Sequence, residues 1–275
     1  MQHRTQPSRF LLGSAAALVL AWAVHGAENI ILLGATVSGT NTTTEPLVLK
    51  LPARAIKSGP VEPPSGPNIE PYSEKPPPPF LVPKRVKNVA AGRPVIASVK
   101  PFTGQPSQVT DGRKEALDSD MVEMRKGAQW VQVDLGEDYA IYAIAMWHDH
   151  RYWTQTMHDV IVQVSDDPAF QNGVTTLFNN DRDNSSGIGI GTDREYFETK
   201  FGRIVDGKGT KARYVRGYTN GSNLWQGNGW QELEVYGLPV NSKNGDAIPS
   251  STNSVKRSTE PLKLQLPDYG KPTTR

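Results

Sequence analysis

Gln129-Trp-Val-Gln-Val-Asp-Leu-Gly136 and Ala212-Arg-Tyr-Val-Arg-Gly-Tyr-Thr-Asn-Gly-Ser222 decide how this chain is read. Each alternates its side chains at the two-residue period of a β-strand, and the second leads on to Trp230-Gln-Glu-Leu-Glu-Val-Tyr-Gly237. Around them lie Ile141 to Trp147, Asp159 to Ser165, Thr175 to Phe178, Arg213 to Tyr218 and Trp230 to Tyr236. All are short, rich in β-branched and aromatic residues, and separated by Gly, Asn, Asp and Pro. No stretch sustains a helical period. This pattern predicts an all-β, antiparallel sandwich or barrel whose loops gather at the ends of the sheets.

Composition narrows the rest. With 37% hydrophobic residues, 22 prolines and 25 glycines among 275 residues, the chain suits one domain with irregular extensions better than a single core throughout. A net charge of +2 gives no clustered basic face, so no nucleic-acid partner is expected. The absence of cysteine excludes disulfides, thiolate metal sites, covalent haem, cysteine nucleophiles and lipid attachment, and no redox cofactor is expected.

The organisation expected is a signal peptide over 1–26, a proline-rich linker with a short strand-like segment over 27–85, the folded domain over 86–238 and a C-terminal extension over 239–275. The first segment carries Arg4 and Arg9 ahead of the apolar run from Phe10 to Val24. That run is shorter than the roughly 20 residues that span a bilayer, and small residues follow for cleavage. A secreted, periplasmic or extracellular location without a membrane span follows; an uncleaved anchor is the rival, because Ile30 to Leu33 prolongs the apolar character. Lys75-Pro-Pro-Pro-Pro-Phe80 favours extended polyproline geometry and a semi-rigid spacer. Thr44-Glu-Pro-Leu-Val-Leu-Lys-Leu-Pro52 matches Thr259-Glu-Pro-Leu-Lys-Leu-Gln-Leu-Pro267 at seven of nine positions. Each reads as a proline-bounded strand with one apolar face, able to pair with its copy or to join a partner's sheet edge; recurrent linker peptide is the alternative.

Asn88-Val-Ala-Ala-Gly-Arg-Pro-Val-Ile-Ala-Ser98, Thr110-Asp-Gly112, Trp130 to Gly136, the loop at Arg151, Val164-Ser-Asp-Asp167, Arg213-Tyr-Val-Arg216 and Glu232-Leu-Glu-Val-Tyr236 follow one another in order. Together they resemble a discoidin domain, also called the coagulation factor 5/8 C-type domain. The resemblance implies a galactose-binding-domain-like jelly-roll β-sandwich, similar to bacterial secreted carbohydrate-binding modules. Three departures stand out. Gly217 replaces a large aliphatic, which implies a bulge or a facing aromatic. Asn180 to Lys211 forms a long insertion expected over one end of the sandwich, and Ala116 to Met124 lacks the usual aromatic character.

The resemblance places ligand contacts on the loop after Trp147 and on the loop from Asn220 to Trp230. Sugar recognition needs aromatic faces and forked hydrogen-bonding groups, which His148, His150, Arg151, Tyr152, Trp153, Asn220, Asn223, Trp225 and Asn228 offer. The bland reading packs Trp147 and Tyr152 in the core. His148, His150 and His158 lack a defined zinc-ligand pattern. The resemblance also implies a structural calcium held by Asp111 and Glu232, with the carbonyls of Gln108 and Gln231 in support, although Arg113 stands where an Asp or Asn commonly helps. Asp181 to Gly187 looks like an acidic calcium loop but lacks the glycine at position six and the glutamate at position twelve, so it reads as ordinary loop. Without a Gly-x-Ser-x-Gly elbow or a placed carboxylate pair, no enzyme is expected. The sequence therefore points to a non-catalytic module for a polysaccharide or glycoconjugate. The alternative is a cell-envelope protein-interaction module using the two flanking Leu-alternating segments.

Overall fold

A computed structural model describes residues 43–53 and 62–240. The signal segment and the second copy of the repeat lie outside these residues. A small antiparallel pair, β1 (Thr44–Pro46) and β2 (Leu81–Pro83), precedes the main body. The remaining strands are β3 (Lys87–Asn88), β4 (Val95–Ala97), β5 (Val122–Met124), β6 (Gln129–His148), β7 (Ile161–Ser165), β8 (Thr175–Asn179), β9 (Arg203–Thr219) and β10 (Asn228–Pro239). All pair antiparallel, in the order β3-β10-β6-β9-β7-β8, with β4 on β6 and β5 on β10. This is the expected galactose-binding-domain-like sandwich. No helix among the described residues is long and apolar enough to cross a membrane.

The ladder is continuous because β6 and β9 pass together from one layer to the other. Their pairing breaks between Asp134 and Tyr139, where Gly136 takes a φ of +87° that favours glycine. A Cβ there would also sit 2.7 Å from Arg93 Nη1. Arg213 forks onto Asp134 at 2.7 and 2.9 Å beside the crossing, and this bond holds the Asp134 carboxyl below its usual range. Before the break β6 pairs with β4, and after it with β10.

Side chains from both layers fill the space between them: Val131, Val133, Ile141, Ile144 and Met146 of β6 meet Val162, Val215, Trp230 and Leu233. The other face of β6 is also covered. Ala140, Tyr142, Ala143, Ala145 and Trp147 carry Leu47, Leu49, Leu51, Val82 and Phe201. The near-continuous apolar run in β6 is the sequence signature of a strand buried on both faces.

The amino-terminal stretch departs from expectation. The spacer read from its prolines lies on the sandwich instead. Ile69 bridges to Glu195, Arg203 Nη1 lies 2.8 Å from Glu70 Oε1, and the Tyr72 ring meets Trp153 at 5.2 Å and Phe197 at 5.3 Å. Polyproline geometry fixes the backbone but leaves the flanking apolar and acidic side chains free to find partners. Likewise, Thr44–Pro46 pairs with Leu81–Pro83, an edge that the pattern of neither segment identifies. The insertion covers one end of the sandwich as expected but stops at Gly202, because residues 203–211 belong to β9.

Gly217 faces an aromatic rather than forming a bulge. It pairs in register with Val131 and Val162, and a Cβ would lie 2.4 Å from Trp230 Cη2. Gly217→Val therefore overpacks the core and should cost about 1–3 kcal/mol, read as a lowered denaturant midpoint. An unchanged midpoint would show slack around Trp230.

Candidate functional site

Both ends of β6 reach the same end of the sandwich, because the strand changes layer midway. Gln129 pairs with Thr219 there, His148 with Trp230, and Ile161 with Asn179. The loops over 98–128, 149–160, 180–202 and 220–227 therefore meet at one end.

Several expected ligand residues turn inward and hold this end rigid. Asn228 is fully buried; its Oδ1 accepts from Thr219 Oγ1 at 2.7 Å and Gly221 N at 2.9 Å, while Nδ2 donates to the carbonyls of Arg125 and Gly127. His148 is fully buried, 2.8 Å from Glu198 Oε1, with its ring centroid 4.3 Å from that of Trp230. His150 is buried with Nε2 3.0 Å from the Lys114 carbonyl. These three are corrected from ligand contacts to framework, since β6 extends through His148 and the insertion's Glu198 closes over it. The third histidine, His158, instead bonds Glu195, whose hydrogen bond first, then its charge, raises the imidazole pKa against burial. The three rings have separate partners and form no zinc site.

Asn223 braces two loops: its Oδ1 accepts from Thr156 N and its Nδ2 donates to Thr154 O, both at 2.9 Å. Tyr152 and Trp153 are half-buried on the flank, Trp153 against Tyr72. Arg151 is a fork rather than a free donor. Its Nε and Nη2 engage Asp149 at 2.7 and 2.6 Å, Nη1 bonds Asp118, and Nη2 lies 3.7 Å from Glu123. One guanidinium thus orients three carboxylates.

Trp225 is 41% exposed and meets Phe102, 62% exposed, edge to face at 6.2 Å. The indole is held by its loop: Ser222 Oγ accepts from Trp225 N at 3.0 Å, and Gly227 leaves room where a Cβ would fall 2.2 Å from the ring. Phe102 is tied to the arginine fork, because its N–H donates to the Glu123 carbonyl at 3.0 Å. Phe102, Asp118 and Glu123 escape a sequence reading centred on two loops. The signal for Phe102 is an apolar ring set in Pro101-Phe-Thr-Gly104, between turn residues where no core position is expected.

The same end of the sandwich carries an open cavity of about 630 Å³. Its walls include Asn68 and Ile69 from the amino-terminal stretch, His158 and Asp159 before β7, Asp183 and Ser185 from the insertion, and Asn220. Asn220 Nδ2 donates to Asp159 at 2.8 Å. Carboxylate oxygens of Asp159, Asp181 and Asp183 lie within 4.8 Å of one another and could hold a metal. This revises the reading of Asp181 to Gly187 as ordinary loop, since the third carboxylate comes from Asp159, outside that segment. Burial opposes the charge of Asp181, but hydrogen bonds from Ser186 and Ser185 outweigh it and keep the carboxyl below its usual range.

Glu232, the expected calcium ligand, is buried and accepts from Gly112 N at 3.0 Å. Lys114 bonds Glu234 and stacks 4.0 Å over Trp147. Burial first, then the charge of Glu234, pushes Glu232 up to about 9. Asp111 adds to that push, its own Oδ1 accepting from Arg113 N. A cation between Asp111 and Glu232 fits this deficit of positive charge. The Gln108 amide is engaged at both ends, Nε2 donating to Ser119 O and Oε1 accepting from Gln105 N, whereas Gln231 donates from Nε2 to Met121 Sδ and leaves its buried Oε1 without a partner, available to a metal beside the carbonyls.

A family model described as F5/8 type C, NedA-like galactose-binding domain matches residues 108–217, and that segment carries an F5/8 type C domain. No curated protein matches the chain. Among solved structures, the carbohydrate-binding module CBM32 of AlyQ, in complex with 4,5-unsaturated mannuronic acid, is 20% identical, with 52% of this chain and 92% of that chain covered and a TM-score of 0.38. Chitosan-binding module 1 of a chitosanase/glucanase from Paenibacillus sp. IK-5 is 21% identical, covering 55% and 99%, with a TM-score of 0.37. A Streptococcus pneumoniae fucose-binding module is 15% identical, covering 55% and 98%, with a TM-score of 0.40.

Glu232 makes stability depend on pH. Its folded pKa of about 9 exceeds the ordinary 4.5, so this contribution is whole below 4.5 and is lost as pH rises toward 9. In chelator, Glu232→Gln should flatten the fall in Tm between pH 5 and pH 9. Parallel wild-type and variant curves would show that Glu232 carries no such proton.

Proposed function

We propose that the described domain is a secreted carbohydrate-binding module, engaging a polysaccharide or glycoconjugate at the Phe102–Trp225 platform. The observation that carries this reading is an exposed, edge-to-face aromatic pair fixed beside carboxylates that a single arginine orients. The C–H face of a pyranose stacks on Trp225, and Phe102 lengthens the apolar surface. Asp118 and Glu123 accept hydrogen bonds from ring hydroxyls at the same edge. Little order is lost on binding, because Ser222, Gly227 and Asn223 already hold the Trp225 loop.

The reading is one of binding, not catalysis. Asp118, Glu123 and Asp149 all lie against Arg151, an arrangement unlike a glycosidase pair facing across a cleft. A structural calcium between Asp111 and Glu232 belongs to the same proposal, with carbonyls of Gln108 and Gln231 as further ligands. The register shift between Trp230 and Glu232, which turns the Gln231 backbone out of the regular ladder, supports it. A protein-binding reading draws on Leu117 and Leu224, which widen the exposed apolar surface.

Affinity electrophoresis through polysaccharide gels tests the main reading. Trp225→Ala and Phe102→Ala should each weaken retention about tenfold, corresponding to roughly 1.4 kcal/mol, within the range of an aromatic contact. Val174→Ala, beside the β7–β8 turn, should leave it unchanged. Full retention by Trp225→Ala, or no retention of the folded wild type on any polysaccharide, would overturn the glycan reading and favour a protein partner. Calcium should raise the wild-type Tm and leave that of Glu232→Gln nearly unmoved; equal shifts would remove Glu232 from the site.

A further inference from the structure

The outer face of β6 is a trough. Ala140, Ala143 and Ala145 form its floor, and Tyr142, Trp147 and Phe201 stand around it. Leu47, Leu49 and Leu51 fill it, while Val48 and Lys50 between them face solvent. Each end of this segment is anchored. Thr44–Pro46 pairs with Leu81–Pro83, Leu47 N donates to Phe80 O at 2.7 Å, Glu45 accepts from Arg85 N at 3.3 Å, and Pro52 is buried.

The second copy of the motif, residues 259–267, differs from the first at two positions, where Lys263 and Gln265 replace Val48 and Lys50. Both are exposed, as are Glu45 and Pro46, which pair with β2 and recur in the second copy. Within residues 44–52, each residue that fills the trough or pairs with β2, and the buried Pro52, has an identical counterpart: Thr259, Glu260, Pro261, Leu262, Leu264, Leu266 and Pro267. Within the leucine run identity follows burial, and ahead of it identity follows pairing with β2, which a recurrent linker peptide has no physical reason to do. The tether is also suitable. Tyr236 and Leu238 at the end of β10 pack against the same cluster, and the 19 residues between Pro239 and Thr259 reach about 60 Å when extended.

We propose that the trough is an exchangeable docking site and that residues 259–267 of the same chain are its second occupant, competing with residues 44–52. Entry of the second copy seats three leucines on the alanine floor and renews the short ladder with Leu81–Pro83. It also releases the amino-terminal arm from that face. The linker keeps the competitor near the trough at an effective concentration of the order of millimolar, so modest differences in affinity decide which copy is seated.

Hydrogen exchange on the full chain tests this. In Leu47→Asp/Leu49→Asp/Leu51→Asp, amides of residues 259–267 should exchange about tenfold slower than in the wild type, at any protein concentration. Adding Leu262→Asp/Leu264→Asp/Leu266→Asp should abolish the effect. A trap that leaves the trough intact uses the lack of native cysteine. Pro46 lies opposite Leu81, so Leu81→Cys/Pro46→Cys is the control, and Leu81→Cys/Pro261→Cys should also yield a monomeric disulfide under thiol exchange. No monomeric disulfide with Pro261→Cys while the control closes, or protection that appears only as protein concentration rises, would overturn the proposal.

Discussion

A strand buried on both faces sets the terms for the rest of the structure. The inner face of β6 builds the core between the layers, and its outer face would expose alanines, a tyrosine and a tryptophan if nothing covered it. The domain resolves this by recruiting chain from outside the sandwich. Each buried leucine contributes roughly 1.5–3 kcal/mol of gross stabilisation. Ordering the backbone that carries it costs about 1–2 kcal/mol per residue. The covering segment is therefore held by a margin far smaller than its buried area suggests, a condition under which one cover can yield to another of the same pattern.

The passage of β6 and β9 between layers has a second consequence. It brings the loop-rich end of the sandwich together around buried Asn228 and half-buried Arg151, each at the centre of its own hydrogen-bond network. Buried polar groups are costly unless satisfied, and satisfied networks fix one arrangement. Loops that would otherwise move are clamped, and the exposed aromatics they carry are presented in a set orientation. Rigid presentation is what a shallow binding surface requires, since it has little buried area with which to offset the cost of ordering.

The strands were legible because alternation is a local property, whereas the burial of β6 on both faces was not read from the sequence. What lay on the second face was not legible, since nothing in Leu-Val-Leu-Lys-Leu identifies a trough some ninety residues away in sequence. Trp225 was singled out as a candidate because an aromatic in a loop is conspicuous. His148 and Asn228 were misread because a polar residue at a strand end looks the same whether it faces solvent or a buried partner. The Asp159, Asp181 and Asp183 group depends on the β7–β8 pairing, which brings residues around twenty positions apart into register. Composition could not reveal it.

The central claim is that ligand recognition resides on the exposed aromatic platform and not in the cavity lined by His158, Asn180 and Asp183. The most direct measurement follows backbone amide and indole N–H resonances of the uniformly labelled chain during titration with oligosaccharides. The account predicts saturable shifts in the Trp225 indole and the amides around Phe102 and Glu123, with the indoles of the buried Trp147 and Trp230 unmoved. Shifts confined to His158, Asn180 and Asp183 at the cavity would contradict it.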